Sequence, residues 1–439
     1  MPPAAVAETN AAQAERDALS EALAKYESKD LGAALDGLQR VIDSPAFSNL
    51  SSGERHKALF FAGIAALQSA QPSRAHAFVV RASEMEEAGS DDWLVRFSAA
   101  WTLGNHLDAM HAIATLARRW PQTLSLVPET IIFILADEAS RLPPENTARF
   151  DFPDALFQAQ WRPARAIGPS SIWKNLALVL LERGDVERAI KVAAQINVPS
   201  VLIAMRVDKR FDSVVKADPR RFDIRRAEAE QTARFRAAVA AAPRSLIAVQ
   251  LLAWSLLKGR KYREVLRLTD EALDRLGSSE SSPYDDAALE QPWVMNTKAR
   301  ALEALGRWNE AVDELERASR LPENGQPNIS QTINLAHLYC RLDRPKDALA
   351  VLSTVKEASP YGWMEIAEAR ASAAIETQDA AALESALTYL REHQADSPET
   401  FQEALTRAGQ IDEAARVLIS RLSDPNLRGE ALLSVQKYP

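Results

Sequence analysis

The chain has 439 residues, a net charge of −8 and only 15 glycines, about half the usual share of roughly 7%. Because strand-and-turn folds need glycine at left-handed positions, this composition disfavours sandwiches, barrels and dinucleotide-binding folds. The 60 acidic and 52 basic side chains disfavour a protein that coats nucleic acid along its whole length, and no apolar run approaches the roughly eighteen residues of a membrane span. We therefore predict an all-α protein.

The first residues are rich in alanine and lack the apolar core of a signal peptide, so we expect a disordered tail over residues 1–10. The triplet Ala5-Val6-Ala7 nevertheless has the small-x-small pattern found beside cleavage sites. A periplasmic protein without its leader and a cytoplasmic protein both remain open. The single cysteine, Cys340, excludes an internal disulfide framework and does not identify the compartment.

A short pattern recurs along the chain: a turn residue, several mostly polar residues, and then a small residue inside a new helix. Clear copies begin at Gly184, Gly306, Asp343 and Gly409, and weaker copies at Ala70, Gly104 and Arg260. Their small residues Ala75 and Ala109 are 34 positions apart, and Ala311 and Ala348 are 37 apart. Self-similarity at 20 to 50 residues indicates a repeat architecture.

The unit that starts at Ser170 shows the pattern of one repeat best, with Trp173, Ala177, Ala189 and Ala193 at its marker positions. On these residues the chain resembles the tetratricopeptide repeat (TPR) family of the bacterial type, whose unit of about 34 residues is two antiparallel helices. Six units match well, and they start at His56, Ser90, Ser170, Leu246, Pro292 and Ile329. The second of these departs from the family by placing bulky Phe97 at a small-residue position, and the fifth by placing Lys298 at an apolar one.

The pattern also has a physical reason that does not depend on the family. Apolar residues at i, i+3, i+4 and i+7 give each helix one apolar face, and a turn of a few residues makes consecutive helices antiparallel. A small residue where two helices cross allows close approach of the backbones. Since one pair cannot bury its face alone, pairs stack into a solenoid.

We divide the chain accordingly. Residues 1–10 are the tail, 11–140 an N-terminal TPR-like array, 141–169 an irregular joint rich in proline and aromatic residues, 170–425 a C-terminal array, and 426–439 a capping helix and tail. Trp93 and Trp173 match packing positions, so we expect both to be buried.

In the family, the first helices of successive units line a concave groove that binds a partner. The resemblance implies a groove formed by Phe60, Trp101, Lys174, Asn175, Trp254, Trp293, Asn296, Arg300, Asn334, His337 and Arg341. Asn175 and Asn334 correspond to asparagines that bind peptide backbone, and a side-chain amide can both donate and accept a hydrogen bond. The lysine-asparagine clamp for chaperone tails is absent, because Leu178 follows Lys174 where asparagine is needed. The implied function is a scaffold or adaptor that binds a protein or an extended peptide.

Residues 205–267 are strongly basic, with sixteen basic and seven acidic side chains. Arg220, Arg221, Arg225 and Arg226 form the centre of this patch, which would suit an acidic partner or a nucleic acid. Aromatic residues for base stacking are few, which disfavours nucleic acid. A solvated face that pairs with acidic parts of the same chain, and a non-catalytic subunit of a cell-envelope enzyme complex, are further alternatives.

No phosphate-binding, dinucleotide-binding, zinc-protease or serine-hydrolase motif occurs in the sequence. His106 and His111 are five residues apart, a spacing that does not place both on one helical face. His337 and Cys340 share a face at i, i+3 but lack a third orienting group, so a small apolar filler beside a groove histidine is favoured over a nucleophile pair. We therefore predict no catalytic residues, no metal and no cofactor.

Overall fold

The computed structural model describes residues 3–163, 168–278, 282–323 and 325–435, with side chains from residue 12 onward. Twenty-four α-helices and three short 3-10 helices account for most of these residues, and the one β interaction among them is the isolated bridge Glu323–Gln326. Consecutive helices pack in antiparallel pairs, and the pairs stack on one another. The predicted all-α, TPR-like fold of antiparallel helix pairs is confirmed.

The chain forms two compact units. The first contains residues up to Pro163 together with Ser171–Ala193, and the second contains Ala194 onward with a short segment before Ser171. Helices of the first unit are α1 Pro3–Glu27, α2 Leu31–Asp43, α3 Ser52–Gln68, α4 Pro72–Ser83, α5 Ser90–Leu103, α6 His106–Arg119, α7 Glu129–Arg141, α8 Ala148–Gln158, α9 Ser170–Glu182 and α10 Val186–Ala193.

The second unit has fourteen described helices. They are α11 Pro199–Arg206, α12 Asp212–Ala217, α13 Ile224–Ala241, α14 Leu246–Lys258, α15 Tyr262–Gly277, α16 Ala287–Ala304, α17 Trp308–Arg320, α18 Ile329–Arg341, α19 Pro345–Leu352, α20 Pro360–Thr377, α21 Ala380–Glu392, α22 Pro398–Arg407, α23 Ile411–Ser423 and α24 Arg428–Val435. Along the described helices of both units, no segment has the length and apolar character needed to cross a membrane.

The turn inside each recurring hexapeptide has one backbone conformation. All seven of its first residues have a positive φ, from 55° at Arg260 and Asp343 to 78° at Gly184. The next residue donates its N–H to a carbonyl five positions back, as Asp185 does to Leu180 at 2.9 Å. This bond ends the first helix and reverses the chain, so the pattern seen in the sequence is a helix C-cap.

The small residue five positions after each turn lies at a helix crossing, as predicted. Ala75, Ala109, Ala189, Ala311 and Ala348 are completely buried, and Ala414 is nearly so. Trp93 and Trp173 are also buried, in agreement with their packing positions. Phe97, the bulky departure from the family pattern, is accommodated in the same core.

Side-chain caps set where the helices of the second unit begin. Before α18, the side chain of Asn328 accepts a hydrogen bond from the N–H of Gln331. Before α20, Ser359 accepts one from the N–H of Gly362, and before α22, Ser397 accepts one from the N–H of Thr400. Each cap satisfies one of the backbone donors that a helix start leaves unpaired. These caps fix the starts of three helices that contribute to the candidate site described below.

The segment 141–169 contains a regular helix, which corrects our prediction of an irregular joint. Within it, α8 spans Ala148–Gln158, and its Pro153 is buried inside the helix. Pro153 occupies the sixth helical position, where loss of its N–H removes one backbone bond without ending the helix. Trp161 is buried against Phe133 at 5.7 Å between ring centroids, and residues 164–167 lie outside the described part of the chain.

The boundary between the arrays also differs from the predicted one. Helices α9 and α10 belong to the first unit because they pack on α8: the rings of Phe157 and Trp173 meet at 5.2 Å, and Arg188 pairs with Asp154. At the start of the chain, α1 begins at Pro3, within the segment 1–10 that we expected to be a tail.

The last helix of the second unit packs against its first. Where we predicted a capping helix, α24 lies on α11 so closely that a Cβ added at Gly429 would stand 2.8 Å from the Cα of Ala204. The buried Arg421 donates to Gln402 at 2.6 Å and to Ser434 at 3.3 Å, which ties α22, α23 and α24 together. The helix pairs of this unit therefore form a closed arrangement.

Gly63 in α3 provides a test of the helix crossings. A Cβ at this position would lie 2.3 Å from Cγ1 of Val79, whereas one at Gly53 in the same helix would meet nothing within 4 Å. We predict that Gly63→Ala costs about 1 kcal/mol of unfolding free energy, since overpacking outweighs the gain in helix propensity. Gly53→Ala should be neutral or stabilising. Urea unfolding of both variants measures the difference, and equal effects would contradict the crossing.

Gly429 tests the contact between α24 and α11. Gly429→Val should force the two helices apart, because the atoms it meets on Ala204 belong to the backbone as well as to the side chain. We expect faster amide hydrogen exchange in α11 and α24 and a melting midpoint lower by several degrees. Glu430→Val, at the exposed neighbouring position, is the matched control. Unchanged exchange in α11 would show that the contact contributes no stability.

Candidate functional site

A cavity of about 400 Å³ lies in the second unit, lined mainly by the first helices of successive pairs, α16, α18, α20 and α22. Five predicted groove residues meet there, namely Asn296, Arg300, Asn334, His337 and Arg341. The remaining lining residues are Glu303, Leu315, Tyr361, Glu365, Glu368, Ser397, Glu399, Thr400, Glu403 and Arg407. The cavity is therefore rich in charged side chains of both signs.

Most of the charged groups on the cavity wall are paired with one another across neighbouring helices. Arg341 of α18 donates to both carboxylate oxygens of Glu303 on α16, at 2.6 and 3.0 Å. Arg407 of α22 pairs with Glu368 of α20 at 2.7 Å and also donates to Ser372. These pairs connect consecutive repeats and fix the positions of the side chains around the cavity.

His337 stands between two carboxylates of α20. Its Nε2 lies 3.2 Å from Glu365 and its Nδ1 3.1 Å from Glu368. Burial alone would lower the pKa of His337, but the two carboxylates outweigh it and raise the pKa to about 9. Burial is the largest influence on Glu365 and Glu368 and raises their pKa, but His337 together with Thr400 at Glu365 and Arg407 at Glu368 outweighs it, so both pKa values end below their usual range. The imidazole is therefore cationic at neutral pH and is not a general base.

The two asparagines of the cavity differ in their hydrogen bonding. Asn334 donates its Nδ2 to Gln331 at 3.0 Å. Asn296 is only 5% exposed, and its Oδ1 has no hydrogen-bond partner among the described residues. A buried acceptor without a partner costs about 1 to 3 kcal/mol. Asn296 is thus a polar group on the cavity wall with unused binding capacity.

Trp254 of α14 is half-buried and lies beside Arg300. The guanidinium carbon of Arg300 is 5.4 Å from the centroid of its ring, and Nζ of Lys258 is 5.5 Å away. Trp293 of α16 is also half-buried. The two tryptophans predicted to line the groove are therefore neither fully in the core nor fully exposed.

The other predicted groove residues lie in the first unit. Phe60 stacks on His56 and Trp101 stacks on His106, with ring centroids 6.0 and 5.0 Å apart. Lys174 and Asn175 are half-buried on α9. The structure therefore does not bring these four into the cavity of the second unit.

Sequence reasoning missed the residues that α20 and α22 contribute. Their repeats match the family pattern poorly, so no groove positions were assigned to them. A usable signal was nevertheless present: Tyr361, Glu365 and Glu368 are spaced i, i+4, i+7, and Glu399, Glu403 and Arg407 are spaced i, i+4, i+8, which places each set on one helical face.

Cys340 does not act with His337 as a nucleophile pair. Burial, and to a smaller extent the negative charge of Glu376, raises the pKa of the Cys340 thiol to about 12. The Sγ atom lies 3.5 Å from the carbonyl oxygen of Ala369. A reactive cysteine needs the opposite shift toward the thiolate. Within the described ranges, no group of three histidine, cysteine or acidic side chains is placed to hold a metal ion.

The basic patch is partly committed to contacts inside the second unit. Arg221 donates to the carbonyl of Ile196 at 3.0 Å, and Arg226 pairs with Glu230 at 2.7 Å. Arg220 and Arg225 are exposed. Phe211 and Phe222 are buried and cannot stack on bases, whereas Phe235, Trp254 and Tyr262 are half-buried. The patch therefore offers exposed arginines with few aromatic rings for base stacking.

The raised pKa of His337 predicts a pH-dependent stability. An unfolded histidine has a pKa near 6.5, so the stabilisation is complete below about pH 6.5 and is lost as the pH rises through about 9. We expect His337→Gln to lower the free energy of unfolding by about 2 kcal/mol at pH 6 and much less at pH 10. Urea unfolding of both proteins across this range measures it. A difference that does not change with pH would contradict the charged assignment.

No protein-family model matches the chain, and no curated protein matches it significantly. Among solved structures it is similar to the APC/C hetero-tetramer Cut9–Hcn1, with 11% identity, a TM-score of 0.32, and 95% of this chain and 89% of that chain covered. It is also similar to yeast Tom70, with 15% identity, a TM-score of 0.35 and coverages of 95% and 99%. A third similar structure is a Rap protein complexed with competence and sporulation factor, with 12% identity, a TM-score of 0.35, and 96% of this chain and 99% of that chain covered. Values this low carry no information about partner or activity.

Proposed function

We propose that the chain is a non-enzymatic scaffold of the bacterial TPR type that binds an extended segment of a partner protein in the cavity of the second unit. The observation that carries this proposal is the convergence of Asn296, Arg300, Asn334, His337 and Arg341 on one cavity. Half-buried Trp254 stands beside it. Apolar area for affinity and a few polar groups for orientation are the combination that a peptide site needs.

Two features of the wall support a binding role over a catalytic one. His337 is held as a cation between two carboxylates, and Arg341 and Arg407 are each paired with a glutamate. Such groups are fixed and already neutralised, so they are poor proton donors or acceptors for a substrate. The unpartnered Oδ1 of Asn296 is instead suited to accept an N–H from a bound backbone.

The rival function, binding of an acidic partner or nucleic acid by the basic segment 205–267, has weaker support. Arg221 and Arg226 are used in contacts within the unit. A nucleic acid would depend on Arg220 and Arg225, and binding would fall steeply with salt. The salt dependence of any binding that is found separates the two functions.

We predict that truncating Trp254 and Asn334 to alanine together weakens binding of the partner segment by about 2 kcal/mol, because aromatic anchors and backbone-reading amides dominate such sites. Affinity capture with wild-type and variant protein, followed by quantitative mass spectrometry, identifies segments that only the wild type retains. Their synthetic peptides are then titrated. The variant should melt within a few degrees of wild type.

Phe60→Ala in the first unit is the control, since Phe60 is a predicted groove residue outside this cavity. Loss of binding with Phe60→Ala but not with the double variant would move the site to the first unit. A double variant that melts many degrees lower would show that Trp254 belongs to the core.

A further inference from the structure

Arg300 differs from the other arginines of the cavity. Arg341 and Arg407 each have a glutamate partner, but within the described residues Arg300 has neither a hydrogen bond nor an ion pair. Its side chain reaches solvent, and its guanidinium packs on the Trp254 ring. All its donors are therefore available to a ligand.

The surroundings of Arg300 add to its capacity to bind an anion. The cavity wall takes part of its hydration away, and this desolvation, followed by repulsion from Arg341, lowers the pKa of Arg300. An anion placed there would relieve that repulsion. Stacking on Trp254 also holds the guanidinium plane in position, so less side-chain freedom is lost on binding.

Asn296 lies one helical turn before Arg300 on α16 and supplies the second, independent feature. It is nine-tenths buried, it lines the same cavity, and its Oδ1 is unpartnered. A side-chain amide in that state can accept the N–H of a peptide whose own side chain reaches Arg300. The two residues together present one acceptor and one cationic donor, one turn apart.

The local charge limits the anion to a single negative charge. Arg300 and Arg341 are balanced in part by Glu303, which leaves one net positive charge on this side of the cavity. On the other side, the carboxylates of Glu365 and Glu368 are already compensated by His337 and Arg407, so this side offers no further positive charge to a dianion such as a phosphate. A carboxylate satisfies the guanidinium with two parallel hydrogen bonds and carries one charge.

We propose that Arg300 and Asn296 form a subsite that binds one acidic side chain, aspartate or glutamate, of the partner's extended segment. This inference rests on the proposed peptide-binding function and specifies the chemistry of the segment. The carboxylate belongs to a side chain within the segment, and Asn296 binds the backbone next to it.

The test uses the full chain and a set of synthetic fluorescein-labelled peptides of ten residues. All have the same apolar and small residues, and the central residue is glutamate, glutamine or lysine. Each is made with a free and with an amidated C-terminus. Fluorescence polarisation gives the affinity of each peptide for wild type, Arg300→Gln, Arg300→Glu and the control Arg370→Glu, which changes an exposed arginine outside the cavity.

We expect wild type to prefer glutamate over glutamine by about ten-fold, whichever C-terminus is present, since a charge-assisted hydrogen bond is lost with glutamine. Arg300→Gln should abolish this preference, Arg300→Glu should reverse it toward lysine, and Arg370→Glu should leave it unchanged. The reversal is a gain of binding, which a misfolded variant could not produce.

Three results would overturn the proposal. Equal binding of glutamate and glutamine peptides by wild type would remove the subsite and leave the peptide-binding function standing. A preference that depends on the free C-terminus would assign the carboxylate to the chain end. If none of these peptides binds wild type or any variant, but segments identified by affinity capture do bind, the proposed function stands and the acidic-residue requirement is wrong. If the captured segments also fail to bind, both the proposed function and the acidic-residue requirement are wrong.

Discussion

The whole arrangement depends on one backbone turn, in which a residue with positive φ follows a helix and the next N–H bonds to a carbonyl five residues back. At Ala70, Gly104, Gly184, Arg260, Gly306, Asp343 and Gly409 this turn reverses the chain, and its bond length is 2.8 to 2.9 Å throughout. Three of the seven are not glycine, although the left-handed conformation costs a residue with a Cβ on the order of 1 kcal/mol. Burial of the apolar face of the following helix offsets this cost, and so the chain needs few glycines.

This turn explains how much of the fold could be predicted. It is local, it has a fixed length, and it places a small residue at the crossing, so the hexapeptide pattern alone is enough to predict that Ala75, Ala189 and Ala311 are buried. Contacts between distant segments leave no such mark in the sequence. Nothing in the neighbourhood of Gly429 indicates that it packs on Ala204, and Pro153 has the appearance of a helix breaker although α8 accommodates it.

For the same reason, only the half of the candidate site formed by α16 and α18 could be predicted from the sequence. Helices α16 and α18 come from well-matched repeats, so counting positions from the turn places Asn296, Arg300 and His337 on the inner face. Helices α20 and α22 come from poorly matched repeats, and their acidic residues were missed. The ion pairs of the cavity join residues 28 to 39 positions apart in sequence, as with His337 and Glu365 or Arg407 and Glu368, and pairing at that distance depends on how the helices stack.

Pairing of charges decides what the cavity can recognise. A wall whose arginines and glutamates already neutralise each other exerts little net attraction on a charged ligand, and breaking a pair to bind one would leave a partner uncompensated. Selection must then come from the groups that the internal network leaves unused. On the inner face of α16 these are the guanidinium of Arg300 and the amide oxygen of Asn296. The network of ion pairs thus contributes rigidity, and the groups outside it determine the chemistry of the ligand.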